Sequence, residues 1–156
     1  APARVARLVL LAPAQGYARS DTGLREKKLH DRLANLAALG PAGIARQRAP
    51  AMLSADADAT QIAFVEHVMA QIDPAGYTQA ARMLAGGDLI TDLRRVSCPV
   101  TIGNGESDTI TPPGAARELA LAVGARFVSL GAVGHSCPLQ AAARVNHLLG
   151  LQEGAA

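Results

Sequence analysis

Two side chains in this sequence combine the type and setting that acid–base chemistry needs. Asp108 stands in the loop Gly103-Asn104-Gly105-Glu106-Ser107-Asp108-Thr109-Ile110-Thr111-Pro112, and His135 in Gly131-Ala132-Val133-Gly134-His135-Ser136. Each alone has a plain explanation, Asp108 as a helix cap and His135 as an ordinary loop histidine. Thr111 followed by Pro112, however, already supplies a helix start, with a side-chain oxygen at the N-cap and a preset φ at the first helical position. Asp108 is thereby left without an obvious structural task, and Gly134 lets the backbone turn sharply just before His135. A carboxylate beside an imidazole fixes its tautomer and stabilises the imidazolium during general base catalysis.

For the two side chains to meet, their loops must leave neighbouring strands at the same end. Residues 5–11 (VARLVLL) form a nearly continuous apolar run, suited to a strand buried on both faces of a parallel sheet, with Arg7 the one misfit. Residues 100–103, after Pro99, and residues 126–130, between Gly124 and Gly131, read as two more strands. A helix from Thr111-Pro112 to about Val123, stopped by Gly124, links the last two as a right-handed strand–helix–strand crossover. The acid and histidine loops then lie side by side at the carboxyl ends of adjacent strands, where open parallel sheets collect functional groups. A final helix spans residues 140–149 and closes at Gly150.

The middle of the chain holds helices and no strand. Residues 24–39 end at Gly40-Pro41, residues 59–72 carry Ile62, Val65 and Met69 at helical spacing, and Asp73-Pro74 opens a helix reaching Leu84 before Gly86-Gly87. The expected organisation is α/β: residues 1–19 a core strand and loop, 20–90 a helical insertion, and 91–156 a core with two strands, two helices and both chemically loaded loops. Three parallel strands leave the most apolar one, residues 5–11, at an edge with nothing beside it. The chain opens at Ala1 without an initiator Met, so it reads as part of a larger unit.

The segments RVARLVLLAPA (4–14), PVTIGNGESDTITPP (99–113) and GAVGHSCPLQ (131–140) together resemble the α/β-hydrolase superfamily, specifically its C-terminal half. The resemblance implies the last three sheet strands, with a helical cap domain inserted after the first. It also implies that Gly105-x-x-Asp108 carries the triad acid and Gly134-His135 the general base, in the family's chain order of acid before histidine. Among its branches the sequence resembles the enol-lactonases and small-ester hydrolases of aromatic degradation. The sequence departs from the family in lacking a G-x-S-x-G nucleophile elbow. Ser136 mimics its first half, but Pro138 replaces the second glycine within the histidine loop. Gln140 stands where many relatives carry an acid.

The resemblance therefore implies the C-terminal portion of a serine hydrolase for a small ester or lactone, with no cofactor. Its partner would be an N-terminal half, as a separate chain or a missing segment, bearing the nucleophilic serine and the oxyanion hole. Alternatives are a catalytically silent binding protein, or a lyase, haloperoxidase or acyltransferase on the same scaffold. Met52, Phe64, Met69 and Met83 of the cap and Ile110 of the acid loop are candidates to contact the small-molecule substrate, with helix core the plainer role for the cap residues.

Other classes fit poorly. Hydrophobic residues make up 49% of the 156 and charged residues 18%, a composition that builds a core rather than a disordered chain. The aromatics are only Tyr17, Phe64, Tyr77 and Phe127, too few for a base-stacking platform, and the basic residues are scattered rather than striped, so no nucleic-acid partner is expected. No apolar run approaches the roughly 20 residues of a bilayer span, and no signal-peptide layout opens the chain, so a soluble cytoplasmic protein is expected. His30, His67 and His147 share no metal-ligand spacing, and Asp56-x-Asp58 lacks the glycine and terminal Glu of a calcium loop. Cys98 and Cys137 fall at opposite ends of adjacent strands and are expected not to bridge. Cys137, two residues from His135, is a possible thiolate nucleophile but more simply a small apolar packing residue.

Overall fold

The computed structural model describes residues 4–151, which divide into two compact units. One contains the sheet and is formed by residues 4–13, 51–57 and 93–151; the other is helical and comprises Ala14–Pro50 and Asp58–Asp92. Residues 51–57, inside the stretch assigned from sequence to the cap, pack with the sheet unit.

The sheet has three parallel strands in the order β1 (Leu8–Leu11), β2 (Val100–Asn104) and β3 (Arg126–Ser129). Leu10 is in register with Ile102, and Ile102 with Phe127. β1 starts later than the apolar pattern indicated, and all four of its residues are only half-buried. It pairs with β2 alone among the described residues, so one edge and much of its apolar surface lack cover. Arg7, just before it, donates to the carbonyl of Leu149.

Between β2 and β3 runs α5 (Pro113–Val123), ended by Gly124 in the left-handed region at φ 67°. Its Ala116, Leu119 and Ala120 are buried, and the helix packs on β2 and β3. Its start corrects the sequence reading: the helix begins at Pro113 with Pro112 at the cap position, and no side chain caps it. The Thr111 hydroxyl is engaged elsewhere. The closing helix is likewise two pieces, α6 (Cys137–Gln140) and α7 (Ala142–Leu148), separated at Ala141 by a non-helical φ of −133°. Leu130, Cys137 and Val145 form a buried cluster with Leu11, Val133 and Leu148 packed against it.

In the helical unit, α1 (Thr22–Arg48) is broken at Gly40 (φ 62°, ψ 177°), where Gly40-Pro41 was expected to end a helix. The second stretch, up to Arg48, was not foreseen. It contributes the buried Ile44 and Ala45. α2 (Ala59–Ala70) is opened by a capping box between Asp58 and Gln61, and α3 (Pro74–Gly86) by the Asp73 side chain accepting from Gly76 N–H. Both pack against α1, and a short α4 (Leu89–Leu93) follows.

Candidate active site

β2 and β3 deliver the acid and histidine loops to the same end of the sheet, and backbone contacts join them. Glu106 N–H donates to the Gly131 carbonyl (2.8 Å) and Ser107 N–H to the Val133 carbonyl (3.1 Å). Gly105 makes this approach possible, because a Cβ there would lie against the Val133 carbonyl group. Gly134 serves the same purpose just before the bend at His135: its φ is not positive, and a Cβ would meet Leu53 Cα and Ser54 N, each at 2.7 Å. Gln140 ties these strands of backbone together. Its Oε1 accepts from Gly134 N–H (2.9 Å) and Ser54 N–H (3.1 Å), while its Nε2 donates to Ser54 Oγ (2.6 Å).

Within this frame His135 Nδ1 lies 2.9 Å from Asp108 Oδ2. The Asp108 side chain is fully buried, whereas that of His135 keeps 22% of its surface exposed. The other carboxylate oxygen, Oδ1, accepts from the N–H groups of Ile110 (2.8 Å) and Thr111 (2.9 Å), and Oδ2 also accepts from Thr111 Oγ1 (2.7 Å). Asp108 therefore does have a structural task, organising the turn before α5, together with its contact to the imidazole. Burial alone would raise its pKa, but the bonds from Thr111 and His135 outweigh burial and hold it below the ordinary 3.8. With Nδ1 facing an ionised carboxylate, the neutral ring carries its proton on Nδ1 and leaves the Nε2 lone pair available. Among the described residues no hydrogen bond to Nε2 is seen.

Thr111 and Asn104 are site residues that the sequence reading missed. Asn104 is fully buried at the end of β2, and its Nδ2 donates to the carbonyls of Gly105 (3.1 Å) and Thr111 (3.0 Å), folding the acid loop back. Of the substrate-contact candidates, Ile110 is half-buried beside Asp108, and half-buried Met52 accepts from Ser136 N–H through its carbonyl (2.7 Å). Phe64 and Met83 are 55% and 72% exposed on α2 and α3, so neither serves as helix core, and Met69 is half-buried on α2.

Solved structures with the same arrangement of elements identify the scaffold. A thermophilic esterase from Thermogutta terrifontis matches 96% of this chain with a TM-score of 0.76 at 23% identity, over 56% of its own length. An enol-lactonase from Burkholderia xenovorans matches 94% with a TM-score of 0.78 at 21% identity, over 55% of its length. A bromoperoxidase from Bacillus anthracis matches 95% with a TM-score of 0.77 at 14% identity, over 58% of its length. The fold is that of the C-terminal half of an α/β-hydrolase. The chain thus spans little more than half the length of the hydrolase-fold proteins it matches. No protein-family model and no curated protein matches it.

On this hydrolase fold neither nearby nucleophile candidate has the required setting. Ser136 follows a loop rather than a strand, with an unstrained φ of −79°, so it is not on a nucleophile elbow. The Cys137 thiol is fully buried, and burial together with the Asp108 charge raises its pKa to about 11, leaving it protonated at neutral pH. Both cysteines are free. Among the described residues no three His, Cys, Asp or Glu side chains converge as metal ligands, and no helix is long and apolar enough to cross a membrane.

Proposed function

We propose that this chain supplies the acid and the general base of a serine hydrolase acting on a small ester or lactone, and that an N-terminal half supplies the serine and the oxyanion hole. The observation that carries the reading is the 2.9 Å pair of His135 Nδ1 and buried Asp108 Oδ2 at the carboxyl ends of β2 and β3. The half-buried, one-sided pairing of apolar β1 supports a further strand beside it. As the serine hydroxyl attacks the substrate carbonyl, its proton passes to His135 Nε2, and the imidazolium then protonates the departing alkoxide. Water next gives its proton to Nε2 as it attacks the acyl-enzyme, and the serine leaves with that proton. Asp108 stays ionised throughout, because its hydrogen bonds keep its pKa low.

Turnover of a short-chain aryl ester by the assembled protein tests the reading. His135→Ala should lower it by several orders of magnitude, whereas Cys137→Ser, once shown to be folded, should retain it. A Cys137 variant as inactive as the His135 variant would transfer the nucleophile to the thiol. The bromoperoxidase among the structural neighbours favours haloperoxidase chemistry as the second reading, distinguished by bromide- and peroxide-dependent halogenation without ester turnover.

A further inference from the structure

The Thr111 hydroxyl lies where three elements meet. Its Oγ1 is 2.7 Å from Asp108 Oδ2, 3.1 Å from His135 Nδ1 and 3.2 Å from the Ala12 carbonyl at the end of β1. The residue is clamped on every side. Its N–H donates to Asp108 Oδ1 (2.9 Å) and its carbonyl accepts from buried Asn104 (3.0 Å), so the side chain is held at this junction. Ala12 is itself oriented by its N–H bond to the Gly103 carbonyl (2.8 Å).

A hydroxyl has one proton to give and two lone pairs to offer. The shortest contact is to the carboxylate, which is also the charged acceptor, so the proton goes to Asp108 Oδ2. A lone pair then faces His135 Nδ1–H, which has two acceptors, Asp108 Oδ2 and Thr111 Oγ1. With Ile110 and Thr111 N–H on Oδ1, the carboxylate accepts four bonds, all that it has room for. Three come from neutral groups that never titrate.

We infer that Thr111 is a positioning residue of the Asp108–His135 pair, with its hydroxyl holding His135 in the Nδ1–H form. Glu106 is turned away onto Arg117 (2.6 Å), and Cys137, two residues beyond His135, is a neutral thiol. The inference rests on the reading of Asp108 and His135 as acid and base, but its test needs no turnover.

The measurement is the His135 Nδ1–H resonances and exchange rate by NMR in the native protein, Thr111→Val and Thr111→Ser. Valine keeps the shape and removes the hydroxyl; serine keeps the hydroxyl. Loss of the hydroxyl should move the His135 Nδ1–H resonances and speed that proton's exchange with solvent several-fold in the valine variant, and serine should restore the native values. A folded valine variant with unmoved Nδ1–H resonances and exchange, or a serine variant changed as far as valine, would overturn the inference. If valine does not fold, the native protein decides: cross-relaxation between a slowly exchanging Thr111 hydroxyl proton and His135 Nδ1–H is expected, and its absence with both protons visible counts against the role. Absent ester turnover alongside the expected change at Nδ1–H would instead refute the hydrolase reading and leave Thr111's role standing.

Discussion

Replacing Asp108 by Asn keeps the shape of the side chain and removes one acceptor and the charge. The four bonds to Asp108 show how the amide must settle. Its single oxygen is required by the two backbone donors of Ile110 and Thr111 on Oδ1, which cannot turn elsewhere. The amide NH2 then takes the place of Oδ2, 2.9 Å from His135 Nδ1, and donates to that nitrogen. A ring that accepts at Nδ1 carries its proton on Nε2, the atom that must accept the serine proton. Turnover of the assembled protein should fall by roughly 10⁴, the loss seen when a triad histidine is held in the wrong tautomer. The stability cost is smaller, because the four charge-assisted bonds become neutral ones while the cost of burying a charge is relieved; on the order of 1–2 kcal/mol is expected. This cost has a pH signature. The folded-state pKa of Asp108 lies below 3.8, so its stabilisation is complete above that value and is lost as pH falls through 3.8 towards the folded-state value. Urea midpoints of native protein and variant should differ at neutral pH and converge in acid, and NMR should report Nε2–H for His135. A folded Asn variant that keeps Nδ1–H, or loses less than about tenfold in turnover, would refute this account of how Asp108 acts.

Other consequences follow from neighbouring contacts. Gly105→Ala should drive a methyl group into the Val133 carbonyl, separate the acid and histidine loops and cost about 1–3 kcal/mol; an unchanged urea midpoint would show the approach to be looser than described. Iodoacetamide at neutral pH should alkylate half-exposed Cys98 well before buried Cys137, read by peptide mapping. The raised Cys137 pKa favours the protonated thiol in the folded state, so native stability should fall as pH rises from 9.0 towards about 11, and Cys137→Ala should remove that part of the alkaline loss. Asn104→Asp would place a carboxylate against two carbonyl oxygens and should destabilise the fold by at least about 2 kcal/mol, measured by urea unfolding.

The three strands and the two loaded loops were legible because they are written locally, as short apolar runs punctuated by glycine and proline. The Asp108–His135 meeting followed from loop placement on adjacent parallel strands. Thr111 was misread for an instructive reason. Thr-Pro before a helical pattern is a strong cap signal, yet tertiary neighbours on β1 and the histidine loop compete for the same hydroxyl and leave α5 uncapped. Gly134 was read for the turn into His135, but its absent side chain also makes room for the backbone of residues 53 and 54, which only the folded chain brings near. The break at Ala141 carries no glycine or proline signal. Phe64 and Met83 have spacing compatible with a buried face, but periodicity alone does not say which face of a helix meets the core.

The most direct test of the central claim is covalent labelling of the assembled protein with a fluorophosphonate, which reacts with the activated serine of a hydrolase, followed by peptide mapping. The label should fall on a serine outside residues 1–156 and be lost when His135 is replaced by Ala. Label on Ser136, or labelling that is indifferent to His135, would contradict the assignment of this chain as the acid and base half of a serine hydrolase.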